Sequence, residues 1–164
     1  MSVKVDYIAQ CKVKETLEAN VPAASLATIT HALFDTYANL SDATDIVVTQ
    51  CAIFTVECET TENIDLTNLT GTNNLTVDAT DERVIFFRII ADPDNQEPMS
   101  IEEAASNGYP LKGEGWYQEL RPGQEDLWFS NNEGYDVTSS TKNITVSGEG
   151  ALHLLFVFGP GSYG

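Results

Sequence analysis

Val84-Ile85-Phe86-Phe87-Arg88-Ile89-Ile90 holds one polar residue in seven. A strand with one wet face alternates apolar and polar residues, because successive side chains point to opposite faces. This stretch does not alternate, so it reads as a central strand covered on both faces. Ala151-Leu152-His153-Leu154-Leu155-Phe156-Val157-Phe158 repeats the pattern near the other end of the sequence. Both runs are rich in β-branched and aromatic residues and bounded by turn residues. They are expected to lie adjacent or facing in one core.

Further strands follow outward from these two. Val3–Val13 alternates in part and reads as an N-terminal arm or a first strand. Glu15–Ala27 contains Pro22 and small residues and reads as a loop. Thr28–Leu40 is ambiguous: Ile29, Leu33 and Tyr37 recur at helical spacing, while its Thr and Ile residues oppose a helix. Ile46–Cys58, Thr60–Thr70, Leu75–Ala79, Leu111–Leu120, Leu127–Phe129 and Ile144–Gly148 read as strands, separated by Asn, Asp, Gly and Pro. Ser100-Ile101-Glu102-Glu103 matches a capping box, which predicts a short helix to about Ser106, stopped by Asn107, Gly108 and Pro110. The expected fold is all-β: a single antiparallel β-sandwich domain over residues 1–164, jelly-roll-like, with one short inserted helix and a flexible tail over Gly159–Gly164.

The sequence has 8 Lys and Arg against 25 Asp and Glu, a formal charge of −17 over 164 residues. Nucleic-acid binding requires clustered cations, and anionic membranes select against such a surface, so neither partner is expected. Acidity of this size favours solubility and sets a field that would draw a basic partner. Cys11, Cys51 and Cys58 form no paired spacing, and no disulfide framework is expected. No basic segment followed by an apolar run opens the sequence, so no signal peptide is expected. The Asn-x-Ser/Thr triplets at Asn39, Asn68, Asn74 and Asn143 then read as products of a Thr- and Asn-rich composition.

The residues that could carry chemistry do not form a known motif. His31 and Asp35 would be neighbours only on a helix, and no nucleophile motif accompanies them. His153 is in phase with Ala151, Leu155 and Val157 and reads as a core or interface histidine. Asp92, Asp94 and Glu103 match the outline of a calcium loop, but Gln96 and Glu97 stand where its oxygen ligand and obligatory Gly belong. Glu114 and Glu119 are a carboxylate pair of the kind glycosidases use, expected by chance in so acidic a sequence. Trp116, Tyr117, Trp128 and Phe129 would make either a sugar-binding platform or core anchors. No catalytic, metal or cofactor residue is assigned, and no enzyme activity is expected.

The order of features from Thr28 to Gly159 resembles the auxiliary capsid, or cement, proteins of tailed bacteriophages. THALFDTYANLSDATDIVVTQCAIF is similar to the family's opening segment, and NIDLTNLTG to its strand and turn DL-x-x-L-x-G. ERVIFFRIIADPDN resembles its central strand, LRPGQEDLWFS its L-x-P-G turn, and KNITVSGEGALHLLFVFG its closing hairpin. The stretch Pro93–Leu111 departs from the pattern and reads as an insertion. These are fold signatures and carry no functional residue. The resemblance implies a virion protein assembled in the host cytoplasm that decorates and reinforces the outer capsid surface. Its partner would be the major capsid protein, and it would be a homo-oligomer there, with a trimer as one option. A tail or head-fibre component and a carbohydrate-binding β-sandwich are the alternatives.

Overall fold

The computed structural model describes the backbone of residues 4–17, 27–41, 47–71, 76–129 and 134–160, and the side chains of the last three ranges. The described strands are β1 (Lys4–Leu17), β2 (Ala27–Ser41), β3 (Gln50–Cys58), β4 (Thr61–Asp65), β5 (Leu69–Thr70), β6 (Thr76–Val77), β7 (Glu82–Ala91), β8 (Met99–Glu103), β9 (Tyr117–Leu120), β10 (Glu125–Phe129), β11 (Asn143–Ser147) and β12 (Gly150–Pro160). No helix occurs among the described residues.

Two four-stranded antiparallel sheets build the body, in the orders β10-β7-β12-β3 and β4-β11-β8-β9. Pairing runs from the ends inward: β3 with β12, β4 with β11, β7 with β10, and β8 with β9. The central strands β7 and β12 lie side by side, as their composition predicts. Ala52, Phe87, Ile89, Leu154 and Phe156 of the first sheet join Ile64, Met99, Ile101, Leu120, Ile144 and Val146 of the second in one core. The register explains the first sheet's inner layer. Trp128, Phe87, Phe156 and Ala52 form one row across all four strands. The rings meet at centroid distances of 5.8 Å for Phe87–Trp128 and 6.3 Å for Phe87–Phe156, within the range where aromatic pairs attract.

A bulge explains how β7 is apolar on both faces. Val157 pairs with Phe86 and Phe158 with Val84, which leaves Ile85 as the extra residue. Ile85, Phe86 and Val157 then form a second buried cluster with Val48, on the far side of the sheet from the main core.

The helix expected from Ser100 does not form. Met99 and Ile101 are fully buried while Ser100 and Glu102 between them are half-buried, a two-residue period. The segment is strand β8, paired on one side with β11 and on the other with β9. Two ladders satisfy its backbone, whereas a helix of about seven residues would carry the full cost of nucleation. The Glu103 carboxylate accepts the Gly115 N–H at 2.6 Å, so the acid of the sequence motif ties down a turn. Within Pro93–Leu111, Met99–Glu103 is therefore a strand of the second sheet. The strand expected over Leu111–Leu120 shrinks to β9, because Gly113 and Gly115 take positive φ and turn the chain ahead of Trp116. The expected tail is shorter too: Gly159 and Pro160 belong to β12, with Gly159 buried beside the Val47 carbonyl. Gly161–Gly164 lie outside the described residues.

β1 and β2 form a separate two-stranded ribbon that pairs with no other described strand. Thr28–Leu40 is thus extended, and its helical alternative is not taken. The ribbon's register shifts at Cys11/Lys12, where Leu33 is passed over.

Candidate interaction surface

The outward face of the sheet β10-β7-β12-β3 gathers what is unusual in this sequence. Register places Leu127, Arg88, Leu155 and Ile53 in one row across the four strands. The row to one side is Phe129, Phe86, Val157 and Cys51, and the row to the other is Glu125, Ile90, His153 and Thr55. Eight of these twelve positions are apolar. A solvent-facing sheet normally presents polar residues there. Local packing covers only part of the face. Phe86 and Val157 are buried, and Cys51, Phe129 and Leu155 are half-buried against them. Ile53 remains 53% exposed and Leu127 39% exposed. Ile53, Ile90, Leu154, Leu155, Arg88 and His153 line an apolar depression of about 210 Å³.

A polar rim fixes this surface. The His153 imidazole lies between two partners: Nδ1 is 2.9 Å from Thr55 Oγ1, and Nε2 is 2.9 Å from Asp92 Oδ2. Asp92 also accepts the Asp94 N–H at 2.8 Å. That backbone bond, followed by the imidazole, holds the Asp92 carboxyl below its ordinary value. Asn95 next to it clamps Ala151, accepting its N–H at 2.8 Å and donating to its carbonyl at 2.9 Å. Arg88 crosses the strand gap and donates through Nε to Glu125 at 3.0 Å.

A threonine, a histidine and an aspartate in line have the outline of a nucleophilic relay. Thr55 stands on a flat strand face, not at a sharp turn or helix N-terminus where paired N–H groups stabilise an oxyanion. The next row on the same face holds Ile53 and Leu155. The arrangement orients an imidazole at the edge of an apolar patch.

The other candidates separate. Asp92 and Asp94 share one turn, where the Asp92 carboxylate accepts the Asp94 N–H and meets His153, whereas the Glu103 carboxylate accepts the Gly115 N–H. Among the described residues no group of three His, Cys, Asp or Glu is placed to share a metal ion. Trp116 is buried, with its indole N–H donating to the Tyr109 carbonyl at 2.9 Å. Trp128 packs inward on Phe87, Phe129 lies on the opposite, outward side of β10, and Tyr117 alone of the four is exposed. Glu114 and Glu119 are exposed, on a turn and on β9. Cys58 is buried and its thiol is pushed up by burial, as a core residue should be, whereas Cys51 faces outward. His31 and Asp35 both lie on extended β2, so four residues separate them by roughly 13 Å.

Sequence reading placed His153 in phase with Leu155 and Val157 but did not link it to Asp92 or Thr55. The link depends on strand register and on the loop after β7, and neither is written in a local pattern. The patch itself had a signal: two strands apolar on both faces. Compared with known protein families, curated proteins and solved structures, the chain matches none.

Proposed function

We propose that the chain is a virion structural protein: a capsid decoration, or cement, protein that binds the outer face of a phage head and stabilises it. The observation that carries this reading is the strand order. Counting only the eight strands of the two large sheets, the first pairs with the eighth, the second with the seventh, the third with the sixth and the fourth with the fifth. That order matches the wiring of a jelly-roll sandwich, a long hairpin folded over on itself, a form used by viral capsid proteins as well as by lectins and cupins. The wiring favours the jelly-roll form of the sandwich that the sequence suggested, without its inserted helix.

Charge and surface support the same reading. A chain of −17 is repelled by packaged nucleic acid and tolerated outside a shell. Apolar groups within a polar rim have the composition of a protein contact, where desolvation at the centre supplies affinity and the rim supplies register. The outward face is the contact proposed here, and β8 within Pro93–Leu111 is a core strand. A sugar-binding role would want exposed aromatics on one face, and Trp116 and Trp128 both turn inward.

The experiment is to purify particles with and without the gene for this chain. Density for the chain on the outer capsid, together with rupture of the depleted particles at lower temperature, is the expected result. Absence of the chain from purified heads would end this reading, and density on a tail or fibre would move it there.

A further inference from the structure

We infer that the free edge of β3 receives an added strand from another protein: an extended segment, apolar at alternate positions, with Lys or Arg beside Glu57, Glu59 and Glu62. The inference stands apart from the capsid reading and from the outward-face contact, because it concerns the edge of the sheet.

The two large sheets end in four edge strands, β10 and β3 in the first and β4 and β9 in the second. Unpaired N–H and C=O groups along an edge are a template for another chain, and proteins blunt them with charge, bulges or brevity. β4, β9 and β10 have five, four and five residues, and all carry carboxylates: Glu62 and Asp65, Glu119, and Glu125 and Asp126. β3 is different. It has nine residues, no proline, no register shift against β12, and one charge, Glu57, next to its last residue. Among the described residues no backbone group outside β12 is bonded to it.

A groove accompanies this edge. Successive residues of β3 and β4, Phe54–Glu57 and Glu62–Asp65, line an open cavity of about 490 Å³. Phe54 and Val56 pack against the main core, yet both stay half-buried where the groove opens. A strand bonded to β3 would turn every second side chain toward them, which is how strand addition reads sequence. Charge decides the occupant. Glu57, Glu59 and Glu62 line a second cleft of about 470 Å³ where β3 ends. Among the described residues no cation is paired with any of the three. From Val47 to Gly164 the sequence has nineteen carboxylates and five cations, so a second copy is repelled. A basic segment is attracted instead, and its cations set the end of β3 at which it begins.

The probe is a capped nine-residue peptide of alternating Val and Thr with Lys at both ends, and its control has Glu at both ends. Full-length protein is titrated with each by calorimetry, and hydrogen exchange of the β3 amides is followed by mass spectrometry. The Lys peptide should bind and slow exchange at β3, and the Glu peptide should bind about tenfold more weakly. Raising salt from about 0.05 to 0.5 M should weaken the Lys peptide. The variant Glu57→Lys with Glu62→Lys, shown by circular dichroism to be folded, should reverse the preference between the peptides. No binding of the Lys peptide at millimolar concentration overturns the inference. So does binding that leaves β3 exchange unchanged, or a preference that the variant does not alter. None of these outcomes involves a capsid, so the decoration reading stands or falls by its own experiment.

Discussion

The hydroxyl of Tyr109 accepts the Val84 N–H at 3.1 Å, two residues past Phe86, the last β7 residue paired with β10. The same hydroxyl donates to the Tyr135 carbonyl at 2.6 Å. The ring is buried, and burial pushes the phenol well above its ordinary pKa, so it stays neutral and able to donate. One side chain thus continues the edge of a sheet where its neighbouring strand has ended. Tyr109→Phe keeps the ring and removes both bonds, at a cost of about 1–3 kcal/mol. Urea unfolding should show a lower midpoint with an unchanged slope. A midpoint equal to wild type would mean that the hydroxyl contributes nothing.

Asn95 and Gly150 are coupled in the same way. A Cβ on Gly150 would stand 2.2 Å from Asn95 Oδ1, and Gly150 has φ of +144°. The clamp on Ala151 therefore requires glycine beside it. Asn95→Ala should cost about 1–3 kcal/mol through loss of two backbone bonds. Gly150→Ala should cost at least as much, through both the clash and the strained φ. Together they should cost less than the sum, because removing Asn95 removes the clash while the strain persists. A double-mutant cycle by thermal unfolding measures the difference, and strict additivity would show the two sites to be independent.

Acid should weaken the fold through particular carboxylates. Asp65 is raised by burial, but hydrogen bonds from Lys142 at 2.5 Å and from Thr67 outweigh this and hold it below 3.8. Asp78 is lowered by the Thr80 hydroxyl and N–H, and Asp92 by the Asp94 N–H and His153. A carboxyl with a lowered folded pKa stabilises the fold above its unfolded value. That contribution is lost as pH falls through the folded value. Melting temperature should therefore drop as pH goes below 3.8. Asp65→Asn should be less stable at neutral pH and lose less on acidification. An identical acid profile for the variant would remove Asp65 from the account.

How far the sequence carried this reading depends on the range of the signal. Val84–Ile90 and Ala151–Phe158 announced themselves because double-sided burial is a composition that can be read locally. The residues around Ser100 misled because a capping box and a strand can share four letters. What decided between them was a pair of neighbouring strands from distant sequence, β9 and β11. Thr55, Asp92 and His153 met for the same long-range reason. The aromatics were legible as a group, but their directions were not, since Trp128 and Phe129 face opposite sides only once β10 has a register.

The two faces of the first sheet should respond differently to substitution. Phe156 is fully buried among Phe54, Phe87 and Phe158 in the shared core. Phe156→Ala leaves a cavity at the centre of both sheets and should cost about 3–5 kcal/mol. Ile53 is as apolar but more than half exposed on the outward face. Ile53→Ser should change monomer stability by no more than about 0.5 kcal/mol, as surface positions do. Unfolding at a dilution where the chain is monomeric gives both numbers. An apolar residue that adds little to its own fold leaves its surface free for the proposed contact. A large loss from Ile53→Ser in the monomer would instead make the outward face a second core of the same chain.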